Sequence, residues 1–254
     1  MKIQLLMTEE AELAALRYAT LVEGWRALYA RALDAADFGT PRQLRRVEEE
    51  AYAIARTFLE QEARAITEAT TNIAYRAYRT TLEELSVETS DEIPEAVSEH
   101  LNAAESYLRH ELSVQIERDI AFLKHSLRRT ILQVNLAARS KGVPHRAALM
   151  EYRIGNAAEL HFFFHDRGNQ KWPSRKFVRA VWRHHLLAVY NEVVLMTLAD
   201  HGLEKAQVSH LNPTSQYHGQ VIAMSAGSSL PIYAEIRNEV FHPNSDAILR
   251  KADE

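Results

Sequence analysis

After Pro41 the chain runs to about Leu85 without a proline or a glycine, and that uninterrupted stretch limits the fold more than any other feature. Leu44, Val47, Ala51, Ile54 and Phe58 alternate spacings of three and four, the seam of a helix that packs lengthwise on another. Tyr52, Leu59, Ile66 and Ile73 repeat every seven residues and widen the stripe. A helix of this extent approaches about 60 Å at 1.5 Å per residue. Thr40 and Pro41 have the residue types of an N-cap and a first helical turn.

Two further helices are expected beside it. Leu13, Leu16, Leu21, Trp25, Leu28 and Leu33 recur at helical spacing over about 8–36, and Asp37-Phe38-Gly39 ends that run. Pro94 opens a third helix over about 94–140, with Val97, Leu101, Ala104, Leu108, Leu112, Gln115, Asp119 and Leu123 on one stripe. Two members of that stripe, Gln115 and Asp119, are polar. Lys141-Gly142, followed by Pro144, is its stop. The second and third helices make an antiparallel hairpin with the first alongside. Such a hairpin is too thin to stand as a globule, so it is expected to lean on a large partner or on copies of itself.

From His145 onward the pattern is mixed. His145–Asn156 reads as a short helix, Leu160–His165 as a strand and Asp166–Asn169 as a turn. Pro173 and Ser174 begin a central helix that is expected to run to Asp200. Ala206–His210 and Gln220–Met224 are short strands, Ile232–Val240 is of open type, and Arg250–Glu254 reads as a frayed tail. The expected class is α+β, mostly α: an extended helical domain over 1–143 and a small α+β domain over 144–254.

Asp166-Arg167-Gly168, the strand Gln207-Val208-Ser209-His210, His218-Gly219-Gln220-Val221 and the closing His242-Pro243-Asn244-Ser245 resemble, in order and spacing, the phage minor capsid or Mu F-like head morphogenesis proteins. The likeness covers roughly 150–245 and departs at Ser245, where the family closes on cysteine. It implies a structural signature carried by Asp166, Gly168, Val208, Ser209, His218, Gly219, His242 and Pro243. It also implies a minor head protein in the virion, inside the capsid at the portal vertex, acting in head assembly, DNA packaging or ejection. Its partners would be the portal protein, the major capsid protein and packaged double-stranded DNA bound without sequence preference, with several copies around a ring.

Charge supplies the second lead. Residues 1–123 hold 13 basic and 23 acidic side chains, residues 124–185 hold 13 and 3, and residues 186–254 hold 4 and 8. Lys124, Arg128, Arg129, Arg139, Lys141, Arg146, Lys171, Arg175, Lys176 and Arg179 form the basic block. It fits a phosphate backbone, an acidic partner, or the acidic faces of this protein and its own oligomer.

Catalysis would have to use histidine, carboxylate or hydroxyl groups, because the chain has no cysteine and so no thiolate chemistry or disulfide. His210, His218 and His242, with His165 and Asp166, are the candidate metal ligands. Their spacing matches no helical metal motif, and the competing reading is that they hydrogen-bond turns. No phosphate-binding loop, dinucleotide fingerprint or nucleophile elbow is present. A hydrolase or toxin-type enzyme and a free, sequence-independent DNA-binding protein therefore stay as alternatives to a non-enzymatic assembly protein. No cofactor is expected. Met1–Met7 is too short for a leader or a membrane span, so the protein is expected in the producing cell's cytoplasm or in a particle assembled there.

Overall fold

The computed structural model describes residues 2–253 except 90, 91, 156–159, 166, 167, 226–228, 243 and 244, and omits the side chains of 155, 164 and 165. The signature positions Asp166 and Pro243, with neighbouring Arg167 and Asn244, lie outside the described residues. So does the side chain of His165.

The order of elements is α1 (Ile3–Asp34), α2 (Pro41–Leu85), α3 (Glu95–Lys141), α4 (His145–Gly155), β1 (Phe163–His165), β2 (Lys171–Pro173), α5 (Ser174–Asp200), β3 (Lys205–Ser209), β4 (Val221–Ala223), α6 (Tyr233–Val240) and β5 (Ile248–Lys251). The class is α+β, mostly α. No helix among the described residues is long and apolar enough to cross a membrane.

The chain forms two compact units, and each long helix contributes to both. One unit holds residues 1–14, 62–111 and 178–254; the other holds 15–61 and 112–177.

In the second unit α2 and α3 run antiparallel, with Tyr52 bonded to Glu117 at 2.7 Å and Lys124 paired to Glu48. Part of α1 packs on them through Tyr18, Trp25, Leu28 and Tyr29, all buried. Trp25 donates its indole hydrogen to the Ala51 carbonyl at 3.1 Å, and its ring lies 5.6 Å from that of Phe162, tilted by 40°. Each aromatic buried this way contributes about 2 kcal/mol. Thr40 does cap α2, accepting from the Gln43 amide at 3.2 Å. Gly142 takes φ +64, and the chain returns as α4, where Tyr152 reaches Thr130 at 3.1 Å. β1 and β2 form a hairpin that aligns Phe163 with Pro173 and His165 with Lys171.

In the first unit the hairpin continues with Thr67 bonded to Glu105 at 2.6 Å. A three-stranded antiparallel sheet, order β4-β3-β5, completes the unit. Ala206, Val208, Ile222 and Leu249 fill its buried face. It is tied to α5 by Asn191, whose side-chain oxygen accepts from the Leu249 amide at 2.8 Å in a buried position.

Three expectations are corrected. Helix α1 begins at Ile3 and not near Thr8: the Thr8 hydroxyl donates back to the Gln4 carbonyl at 2.9 Å, the mid-helix alternative to capping. Leu13 and Leu16 are not core, being 44% and 57% exposed, while Ala11, Ala14 and Ala15 are buried; small side chains let that face approach its neighbours. Arg250 and Lys251 are not tail but strand, since β5 pairs residue by residue with β3 and buries Ile248 and Leu249. The segment of open type, Ile232–Val240, is mostly helix α6.

Candidate functional site

Four signature residues, Val208, Ser209, His218 and Gly219, gather at one end of the three-stranded sheet. Val208 and Ser209 end β3, where alternation buries Val208 and leaves Ser209 half-buried. The loop that follows is built by its own side chains. The Asn212 carboxamide oxygen accepts from the Thr214 amide at 3.0 Å, and the His218 amide reaches the Ser215 carbonyl at 3.0 Å. Gly219 takes φ +82, a conformation that disfavours a side chain, and its amide returns to the Val208 carbonyl at 2.8 Å. The Nδ1 atom of His218 accepts from the His210 amide at 3.0 Å. Gly168 lies in the exposed turn between β1 and β2, in the other unit.

His210 is the most chemically capable of these residues. Its Nδ1 and the Asp246 carboxylate are 2.7 Å apart, with the imidazole side chain 10% exposed. Its Nε2 is buried without a hydrogen-bond partner among the described residues. Ser209 and His210 line an opening of about 430 Å³ with Arg76, Thr80, Glu84 and Tyr190. A carboxylate that fixes one imidazole nitrogen leaves the other free to accept a proton or bind a ligand. The described residues do not bring the candidate metal ligands together. No cluster of three His, Cys, Asp or Glu able to hold a metal occurs among the described residues; His242 is exposed. Ser245 is buried. Its hydroxyl accepts from the Ala247 amide at 3.0 Å, and its own amide donates to the His242 carbonyl at 2.8 Å.

Asp246 carries no motif in the sequence. Its only signal is a carboxylate one residue past the closing motif. The paired His184 and His185 turn out to differ. His185 is buried against the Thr70 hydroxyl, its Nε2 3.0 Å away, and burial, then the charges of His184 and His100, lower its pKa to about 4. His184 is half-buried, and burial lowers it too.

The basic block divides by partner. Lys124 pairs with Glu48, Lys141 with Glu151, and Arg179 with Glu12 at 2.5 Å. Lys171 sits 3.7 Å over the Phe163 ring. Arg128, Arg129, Arg139, Arg146, Arg175 and Lys176 are exposed, with no ion pair to a described residue. Arg128, Arg129 and Arg139 share the outer side of α3 with Leu132 and Leu136, each 58% exposed. Arg146 and Arg153 line a recess of about 240 Å³ between α4 and the end of α1.

Comparison of the chain with protein-family models, curated proteins and solved structures finds no match.

Proposed function

We propose that the protein is a non-enzymatic minor head protein of a phage, bound to the portal protein at the vertex inside the capsid and acting in head assembly, DNA packaging or ejection. The observation that carries this reading is how the motif residues are used. Val208 fills the sheet core, Gly219 makes the tight return, and His218 spends its ring nitrogen on the His210 amide. Those are scaffold duties, the role that the family resemblance assigns to these positions. Long helices with exposed leucines supply docking surface, and Arg146, Arg175 and Lys176, exposed with no ion pair to a described residue, supply positive charge toward packaged DNA. Recovery of portal rings with the tagged protein from phage-producing cells, seen by electron microscopy, is the expected result. A free chain carrying stoichiometric metal or hydrolysing a phosphoester would overturn it.

A second reading, a hydrolytic enzyme, rests on the His210–Asp246 pair beside Ser209. Activity abolished by His210→Gln, with the fold intact by circular dichroism, would favour it.

A further inference from the structure

Between Lys124 and Ile154 the chain carries seven lysines and arginines and a single acid, Glu151, which Lys141 already engages. On the outer side of α3 in this span, Arg128, Leu132, Leu136 and Arg139 follow one another at steps of four, four and three, with Arg129 beside them. Residues at those steps line one helix face. The two leucines thus form an apolar centre with arginines at its rim. A phosphate backbone would meet the arginines but leave the leucines facing charge and water. The pattern of apolar core and Arg-rich polar rim belongs to protein interfaces.

The same chain holds the complementary surface. Residues 80–108 contain eight acids and no lysine or arginine. Where α2 ends, Ser86 takes φ +58, its amide reaches the Glu83 carbonyl at 3.1 Å, and the Val87 amide reaches the Leu82 carbonyl at 3.1 Å. This is the Schellman closure, with serine in place of the usual glycine. The motif's apolar residue normally packs back on its helix, but Val87 is 42% exposed. Glu88, Glu95 and Glu99 are exposed near it, with no ion pair to a described residue.

We propose that the Arg128–Arg139 face of one copy receives the acidic surface carrying Val87, Glu88, Glu95 and Glu99 on a second copy, valine against leucine and carboxylates against arginines. The two surfaces differ, so the contact is head-to-tail and extends to further copies. The inference rests on the minor-head reading only in supposing that several copies act together. A face about 18 Å long, from twelve residues at 1.5 Å each, is smaller than a standard interface. The association is accordingly weak, in the micromolar range, and salt-sensitive.

Sedimentation velocity of the full chain tests this, from about 1 to about 200 µM at low and high salt. The expected result is a mass that grows with concentration in low salt and at least a tenfold weaker association in high salt. Leu132→Ser with Leu136→Ser should abolish it, as should Arg128→Glu with Arg129→Glu, and separately Glu88→Lys with Glu95→Lys and Glu99→Lys. All these positions are exposed, and circular dichroism checks their folding. Mixing the two charge-reversed chains should restore association, because each then offers what the other lacks. A wild-type chain that stays monomeric throughout overturns the proposal. So do variants that associate like wild type, or a 30-base-pair duplex that binds this face with the leucine pair dispensable. None of these failures affects recovery of portal rings, so the two readings stand or fall separately.

Discussion

The Tyr18 hydroxyl donates to Oδ2 of Asp119 over 2.6 Å, across 101 positions of sequence, with both residues buried. Gln115 and Ser174 donate to the other carboxylate oxygen at 3.2 and 2.9 Å. Three donors thus converge on one buried acid, the arrangement a buried charge needs to be tolerated.

Burial is the largest influence on Asp119 and pushes its carboxyl above the usual value, while the bonds from Tyr18, Ser174 and Gln115 pull it down. With the folded pKa above the unfolded one, the native state binds more protons in the window between them. The penalty is therefore complete above the folded pKa and is relieved as pH falls through it. Tyr18→Phe removes one of the lowering bonds. It should cost about 2 kcal/mol near neutral pH and less in acid, where the carboxyl is neutral. Urea unfolding of both chains at about pH 7 and pH 4 measures it; equal losses at the two would contradict the account.

His185 works in the opposite direction. Burial lowers it from 6.5 to about 4, so the native state binds fewer protons than the unfolded chain between those values. Stability is full above 6.5 and falls as pH drops toward 4, by roughly 3 kcal/mol. His185→Gln keeps a polar partner for Thr70 but cannot titrate in this range. The variant's stability should be flatter than wild type's between pH 7 and 4 by about that amount.

Much of the helical frame could be read from residue pattern alone, because 3.6-residue periodicity and Gly/Pro punctuation are local signals. Helix α2 starts and stops where Pro41 and Leu85 said it would. Gln115 and Asp119 were visible as polar intruders on an apolar stripe, yet their partners Tyr18 and Ser174 were not, since nothing local links positions so far apart. β5 escaped notice because four residues are too few to show alternation, and its pairing with β3 is a tertiary fact. At the sheet end, the histidines stood out by type. Which nitrogen each one commits depends on loop geometry that composition does not encode.

His218 provides a test of that geometry. Its Nδ1 satisfies the His210 amide, so His218→Ala should lower stability by about 1 kcal/mol and loosen the loop between β3 and β4. Hydrogen exchange should show faster exchange at the His210 amide in particular. A chelator should leave the wild-type melting temperature unchanged; a drop of several degrees would instead reveal a bound metal and favour the enzyme reading.

Gln43 ties the corner between α1 and α2. It is fully buried; its side-chain oxygen accepts from the Gly39 amide at 2.8 Å and its nitrogen donates to the Ala32 carbonyl at 2.5 Å. One side chain therefore joins the last turn of α1 to the entry of α2, across a corner where Gly39 takes φ +85 and faces Ile131. Gln43→Ala strips both backbone groups of their partner in a place water reaches poorly, and should cost about 2–3 kcal/mol. Gln43→Glu keeps the acceptor for Gly39 but sets a carboxylate against the Ala32 carbonyl, and should cost at least as much at neutral pH while recovering part of the loss in acid, where the protonated group donates again. Urea unfolding of the two variants at about pH 7 and pH 4 separates them: the alanine loss should be nearly constant, and a glutamate loss equally constant would mean that the Ala32 bond contributes nothing.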